Sequence, residues 1–431
     1  FHRKKRVVSE GSRRNLLIAI VEPMIVGAAK ETFPNEARVA LIPAVLPTLT
    51  KAGLEIIIET NAGLSAGFTD AQYEEKGAKI VASREEVFEK AQIVLQVRSL
   101  GANPEAGKAD LDLMKKDQVI VGLSDPLGSA ELSKEMAEKG VTAFSMELIP
   151  RITRAQSMDV LSSQATVAGY KAVLLAADNL PRMFPMFMTA AGTISPARVF
   201  VIGAGVAGLQ AIATAKRLGA KVEAYDVRPA VAEQIESLGG KFVKFDLDTA
   251  EAEDAGGYAK EQSDDFLRRQ REEMGKVVKG NDVVISTAAI PGRKAPVLVT
   301  ADMVKGMEPG SVIIDLAAAT GGNCELTKAD EMVEVDNVKI FGPTNLPGGA
   351  PYHASQMYAK NIVTFLQSIV KEGALVFDME DEVVAETMVT RDGDVVNNRV
   401  REALGMEPIA PPAKPEPEAE EKAETEEKGD A

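Results

Sequence analysis

Three glycines and one aspartate carry the most legible chemistry in this chain. Gly203, Gly205 and Gly208 spell G-x-G-x-x-G within "RVFVIGAGVAGLQAIATAKRLGAKVEAYDV", directly after a β-branched strand run and directly before an apolar helical run. The first glycine permits a tight turn, the second lets backbone approach a pyrophosphate, and the third lets helix and strand pack closely, with the phosphates at the helix N-terminus. Asp226 ends the next strand 18 residues after Gly208, close to the spacing of about 20 at which an acidic residue accepts ribose hydroxyls. A 2′-phosphate would set like charge against Asp226, which favours NAD over NADP. Arg228 nearby works the other way, since an arginine can accommodate that phosphate. The alternative is a Rossmann lobe that no longer binds a dinucleotide.

A nicotinamide enzyme that oxidises an alcohol or amine must also remove a proton, which calls for a positioned histidine, lysine, tyrosine or carboxylate. The chain holds two histidines: His2, in a basic N-terminal stretch, and His353, which opens a late helical pattern in "GGAPYHASQMYAKN" and fits a cap or packing role better than catalysis. One reaction escapes the requirement. Hydride transfer directly from one nicotinamide to another leaves no substrate proton to abstract, so positioning and exclusion of water suffice. No metal-ligand set is expected. The single cysteine, Cys324, fits a buried small hydrophobe or turn residue better than redox chemistry.

Two further stretches are rich in polar or mobile chemistry. "RITRAQSMDVLSSQ", residues 151–164, crowds two arginines, two glutamines, an aspartate and three serines beside an apolar helical run. On composition alone it is either an active-site loop between two folded units or a solvated interdomain loop in which Arg151 and Asp159 pair. In "DAGGYAKE" the glycines Gly256 and Gly257 give the backbone freedom a lid needs; an ordinary flexible loop has the same composition.

The elements that must position these groups follow from periodicity. From Leu16 to about Ser145, short β-like runs ("LLIAIV", "LEIIIE", "AQIVLQV", "DQVIVGL", "VTAFSM") alternate with helical patterns, which implies parallel βαβ units. A long helical pattern from about Ser163 to Asn179 leaves this series. A second series starts at Arg198 and continues through "KFVKF", "DVVIST", "SVIIDLA" and "VKIFG", and a second long helix, about His353 to Lys371, returns the chain to the first lobe. The expected fold is therefore α/β, with two doubly wound, Rossmann-like parallel-sheet lobes joined by two long helices. The expected boundaries are a basic disordered arm at 1–15, a discontinuous first lobe at 16–162 and 353–405, an NAD-binding lobe at 163–352, and a disordered acidic Pro/Glu/Ala tail at 406–431.

Composition narrows the function classes. The 431 residues are 45% hydrophobic and 26% charged, with a net charge of −15; that charge argues against a nucleic-acid partner, because phosphate contact needs concentrated Lys and Arg. The first fifteen residues carry six basic residues against one acid, the composition of a disordered arm or of a transit-type leader. One cysteine excludes an intrachain disulfide and fits the cytoplasm. No run of about 18 apolar residues stands out, so direct membrane insertion is not expected. Met186 and Met188 in "FPMFMT" read as core or interface packing.

With these residues in place, the chain from Leu16 to about Leu404 resembles the NAD(H)-binding domain I, the first portion of the alpha subunit, of proton-translocating NAD(P) transhydrogenases. The motifs that carry the resemblance are "RITRAQSMDVLSSQ", "GAGVAGLQAIATAKRLGAKVEAYDVRP", "ESLGGKF", "GGYAKE", "STAAIPGRKAP", "VIIDLAAATGGNCELT" and "ASQMYAKN". The resemblance implies that Arg151, Gln156 and Asp159, with Ser162 one helical step on, form the loop over the nicotinamide and its ribose. It implies that Tyr258 belongs to a mobile loop that closes over nucleotide. It also places nucleotide contacts at Arg154, Val206, Val227, Arg228, Gly257, Gln270 and Ala289, the last where relatives often carry a larger aliphatic residue.

The implied activity is reversible hydride transfer between NADH bound here and NADP bound on a partner subunit, coupled to proton translocation. Implied too are a homodimer, membrane-spanning and NADP(H)-binding subunits on other polypeptides, and a cytoplasmic location, peripheral on the inner face of the plasma (inner) membrane through those subunits. "NEARVALIP", Asn35 to Pro43, is shared with the related alanine dehydrogenases, whose activity is the alternative. In those enzymes a lysine and a histidine of the first lobe handle the amino or keto acid; the corresponding stretches here, "VLQVRSL" and "VGLSDPLG", contain neither.

Overall fold

Near-continuous apolar runs such as Ile56–Ile58 and Val199–Ile202 are buried on both faces, as strands of a parallel sheet covered by helices must be. A computed structural model describes residues 23–245, 264–289 and 293–409. The run at 16–21, expected as the first strand, the basic arm at 1–15, Gly257, Tyr258 and most of the acidic tail lie outside the described residues.

The runs assemble into two large sheets. Across the first, the strands run Asp394–Val395, Met388–Arg391, Thr142–Ser145, Val119–Leu123, Ile93–Arg98, Ile25–Ala28, Glu55–Glu59 and Lys79–Val81. Numbered along the chain, its six parallel strands lie in the order 3-2-1-4-5-6, with Met388–Arg391 and Asp394–Val395 added antiparallel at one edge. The second sheet runs Lys241–Phe242, Lys221–Tyr225, Arg198–Ile202, Val283–Ser286, Val312–Asp315, Val338–Phe341 and Met332–Val335. It repeats the 3-2-1-4-5 arrangement and ends on the antiparallel pair Met332–Val335 and Val338–Phe341. This is the α/β architecture of two doubly wound parallel sheets that the sequence implies; the antiparallel edges are additions to it. In each sheet the strand order reverses between strands 1 and 4, where such folds place their ligands, beyond the strand C-termini.

Two long helices tie the sheets together. Val160–Asn179 starts on Asp159, whose side chain accepts from Ser162 N, an N-cap that satisfies an otherwise orphaned donor. Its packing on Val206–Arg217 depends on Gly169, where a Cβ would stand 2.1 Å from the Ala207 carbonyl oxygen. By length and composition alone this helix is apolar enough to cross a bilayer, a property the sequence reading missed because Gln164, Gly169, Tyr170 and Lys171 interrupt the apolar run. In the fold it lies against Val206–Arg217 and against the second long helix, Pro351–Ile369. The latter is a core element: Tyr358, Ile362 and Phe365 are fully buried, and Tyr358 Oη donates to the Gln96 carbonyl at 2.7 Å.

Of the two roles expected for Met186 and Met188, core packing fails. The pair is 58% and 79% exposed on a short hairpin, Phe187–Thr189 with Gly192–Ile194. They are not core residues, because the hairpin stands off the fold with both strands exposed.

Candidate functional site

At the reversal point of the second sheet the chain turns through Gly203, whose φ of 92° suits glycine. Gly205 then occupies the N-cap of helix Val206–Arg217. A Cβ on Gly208 would sit 1.9 Å from the Gly203 carbonyl oxygen, whereas one on Gly205 meets nothing within 4 Å. Gly208 therefore serves the fold, and Gly205 fronts open space beside the helix's unpaired amides, an anion-binding arrangement.

Asp226 is buried at the adjacent strand end. Its Oδ2 accepts from Ala204 N at 2.7 Å and Arg228 Nη2 at 2.8 Å; its Oδ1 accepts from Arg228 N and Nε, both at 2.9 Å. Arg228 is thus engaged with the acid of the same site. Val206 is 40% exposed, Val227 is half-buried and Ala289 is exposed, an apolar surface around the turn. Gln270 is placed differently: it is 1% exposed and donates through Nε2 to Tyr225 Oη at 3.0 Å. Burial pushes the Tyr225 hydroxyl up to about 12, so it stays protonated and neutral while its oxygen accepts from Gln270.

The polar loop forms the other half of the site. Pro150 leads into a 3-10 turn, Thr153–Met158, which Ala155 and Met158 anchor in the core. That anchoring leaves Arg151, Arg154, Gln156 and Ser157 exposed. A cavity of about 260 Å³ opens here, lined by Pro150, Arg151, Ile152, Ala155, Gln156, Asp159 and Ser162. Asp159 is oriented by Ser162, whose N and Oγ donate to it at 2.8 and 2.6 Å. Four of the expected residues, Arg151, Gln156, Asp159 and Ser162, thus share one cavity. Arg154 does not line it; its Nη2 donates to Asp381 Oδ1 at 2.6 Å, which raises the guanidinium and holds the Asp381 carboxyl below the usual range.

The two halves are connected by helix geometry. The contact of Gly169 with Ala207 places the polar helix start ten residues earlier, roughly 15 Å along the axis at about 1.5 Å per residue. An extended dinucleotide spans a distance of that order.

Sequence reasoning missed residues that the tertiary structure recruits. Arg38, 3% exposed, grips Glu36 through Nε and Nη2 at 2.8 and 2.6 Å and donates through Nη1 to Gln164 Oε1 at 2.8 Å. Asn345, from the end of the second series, donates to Glu36 Oε2 at 3.2 Å. Burial raises the Glu36 carboxyl, but the hydrogen bonds and charge of Arg38 outweigh it and hold it below its ordinary value. Glu31, also buried, accepts from Val97 N at 2.6 Å and Arg98 N at 3.2 Å, and burial pushes it up to about 7. Asn361 and Asp381 brace the polar loop from the late helix and the C-terminal segment. The only signal was for Glu36 and Arg38, in "NEARVALIP", and Asn361, in "ASQMYAKN"; Glu31, Asn345 and Asp381 lie outside both motifs. Among the described residues no cluster of His, Cys, Asp and Glu is grouped to hold a metal.

Residues 27–168 match the family described as alanine dehydrogenase/PNT, N-terminal domain, and residues 172–398 match its C-terminal domain. The chain is 46% identical over 377 residues to the first portion of NAD(P) transhydrogenase subunit alpha of Rhodospirillum rubrum, covering 87% of this chain and 98% of that protein. A solved transhydrogenase from Sinorhizobium meliloti superposes with a TM-score of 0.77 at 44% identity, over 86% of this chain and all of that one. A solved L-alanine dehydrogenase is more distant, with a TM-score of 0.73 at 26% identity over 89% and 99% of the two chains.

Proposed function

The chain belongs to the alanine dehydrogenase/PNT family, an oxidoreductase kin to transhydrogenases over most of its length, and from that premise we propose that it is the NAD(H)-binding catalytic subunit of a proton-translocating NAD(P)+ transhydrogenase. The observation that carries this reading is the cavity at Arg151, Gln156, Asp159 and Ser162, set about one dinucleotide length from the Gly203–Gly208 turn. It offers hydrogen-bonding groups and a helix-capping aspartate, and among the described residues no histidine or lysine lines it.

The residues present fit the dinucleotide. Gly205 and the start of helix Val206–Arg217 receive the pyrophosphate, and Asp226, held by Ala204 N and Arg228, takes the adenosine ribose. Val206, Val227 and Ala289 border that end, Gln270 supports it from behind, Arg154 contributes from the polar loop at the nicotinamide end, and Gly257 and Tyr258 act as the lid. When bound, NADH supplies a hydride that NADP+ on a partner subunit accepts, with no proton exchanged. Arg151 and Gln156, raised on the 3-10 turn, orient the nicotinamide end, while Asp159 and Ser162 fix the ribose side. The anchored residues Ala155 and Met158 keep that surface at one height.

In this reading the lobes are 16–162 with 353–405 and 163–352, flanked by the arm at 1–15 and the tail at 406–431. The protein is a homodimer bound to membrane-spanning and NADP(H)-binding subunits. It is cytoplasmic and peripheral on the inner face of the plasma membrane through them. The exposed hairpin bearing Met186, Phe187, Met188 and Ile194 supports self-association, since so apolar a protrusion marks an interface. An alanine dehydrogenase reading is disfavoured by the first sheet: its strand ends are filled by Glu31, Gln96 and Glu147, with Gln96 Nε2 bound to Asp110 at 2.8 Å.

The test mixes the purified protein with the NADP(H)-binding subunit of a relative and follows NADH-dependent reduction of an NADP+ analogue. Turnover is expected only with both proteins, and is lost in Gln156→Asn and Arg151→Ala. Alanine-dependent NAD+ reduction by the protein alone overturns the reading.

A further inference from the structure

Two polar bonds join the late helix to the polar loop, and both meet on one side chain. Asn361, on helix Pro351–Ile369, is 8% exposed. Its Nδ2 donates to the Ser157 carbonyl oxygen at 2.8 Å, and its Oδ1 accepts from Ser163 Oγ at 2.7 Å. Ser157 immediately follows Gln156 on the 3-10 turn, and Ser163 immediately follows Ser162 on the helix that Asp159 caps. One carboxamide thus spans both segments that carry the cavity-lining residues.

The platform under it is rigid. Tyr358, Ile362 and Phe365, within about one turn on either side, are fully buried, and Tyr358 is bonded to the Gln96 carbonyl of the first sheet. Gln164 adds a parallel tie, donating through Nε2 to the Ala354 carbonyl oxygen at 3.1 Å. A short 3-10 turn has poor internal hydrogen-bond geometry, so its height is set by what holds its carbonyls from outside. Ala155 and Met158 fix the turn's apolar face; Asn361 fixes its polar backbone next to Gln156.

We propose that Asn361 is a positioning residue for the hydride-transfer step: by bridging the Ser157 carbonyl and Ser163 Oγ it sets the height and tilt of the turn that presents Arg151 and Gln156 over the nicotinamide end. This rests on the transhydrogenase reading above. It requires that Asn361 act on the geometry of transfer and leave binding of the adenine half, on the other sheet, alone. A residue that only satisfied a buried carbonyl would lower stability and all kinetic constants together.

The experiment uses the full chain with the NADP(H)-binding subunit of a relative. Asn361→Asp keeps the shape and the acceptor for Ser163 while replacing the amide donor by a group that donates to Ser157 only when protonated. At about pH 8 its kcat is expected to fall by about 10- to 100-fold, the size of effect that an ångström-scale misplacement produces, with NADH affinity by nucleotide fluorescence unchanged. Activity then recovers as pH is lowered and the carboxyl regains a proton, a limb absent from the unmodified protein. Ser163→Ala, which removes the other half of the bridge and folds without a buried charge, shows a smaller loss of kcat with the same unchanged affinity. Wild-type kcat in both variants, or a loss of kcat and affinity in proportion to lowered Tm with no pH recovery, overturns the inference while the transhydrogenase reading stands. Silence of the unmodified pair overturns both.

Discussion

The two sheets share a strand order and differ at the one place where that order matters. At the reversal point of the second sheet, strand Arg198–Ile202 ends in glycines, and Gly205 fronts open space. At the reversal point of the first, strand Ile25–Ala28 leads to Glu31, whose carboxylate takes the amides of Val97 and Arg98 at the end of the neighbouring strand. The first crevice is filled by the protein's own acid where the second leaves its donors for a ligand. Around Glu31, the Glu36–Arg38 pair, with both side chains almost fully buried, and Glu147, which accepts from Ser124 N at 2.9 Å and Asp125 N at 2.7 Å, fill the rest of that edge. A doubly wound topology thus creates the opportunity for a site, and side chains decide whether it is used.

The sharpest way to break the closed edge is Arg38→Leu. Among the described residues it leaves the buried Glu36 carboxylate only Arg98 Nε, at 3.1 Å, as an ion-pair partner, and removing one partner of a buried pair costs up to about 3–5 kcal/mol. A matching drop in urea-unfolding stability is expected, with NADH affinity in the surviving folded fraction retained.

Glu31 supplies the next largest effect, and its sign is opposite to that of an ordinary paired carboxylate. Burial lifts it from 4.5 to about 7, so between those values the folded protein keeps a proton that the unfolded chain has lost. Its contribution to stability is therefore full below about pH 4.5 and falls as pH rises to about 7, by up to about 3 kcal/mol. Glu31→Gln, uncharged throughout, removes that slope; an unaltered pH dependence of unfolding in the variant refutes the assignment. Glu36 works in the usual direction, since its lowered folded value gives stability above the unfolded carboxylate range that is lost as pH falls.

On the open edge, Asp226→Ser removes an ion-pair partner of Arg228 and the acceptor for ribose hydroxyls. A loss of about 1.5–3 kcal/mol in NADH binding is expected, with a gain for NADPH as the like charge facing a 2′-phosphate is removed. Fluorescence titration with each nucleotide checks both signs. Gly205→Ala gives the smallest effect: a methyl group there meets no protein atom, so Tm holds while nucleotide affinity drops by about 1–2 kcal/mol through crowding at the phosphates. Gly208→Ala should reverse that pattern and lower Tm first, because its methyl group meets the Gly203 carbonyl.

The nucleotide turn was legible because every component of it is contiguous: strand, glycines, helix and the acid 18 residues on all report local backbone conformation. The loop at 151–164 was legible as polar, and four of its expected residues line one cavity; that Arg154 turns away to Asp381 was not readable, since the partner lies 227 residues distant. The same holds for Met186 and Met188, whose apolar character fits core and protruding hairpin equally well until the strands are placed.

What the sequence determined by itself is the α/β alternation, the doubly wound character of both halves and the identity of the phosphate turn, because period, β-branching and glycine placement act over a few residues. Only the tertiary structure decided which crevice stays open and which residue braces the loop. Glu31 meets Val97 across 66 residues, Arg38 meets Gln164 across 126, and Asn361 meets Ser157 across 204. A buried polar group must find a partner, but its type names only what kind of partner it needs; the packing of distant elements decides which one it gets.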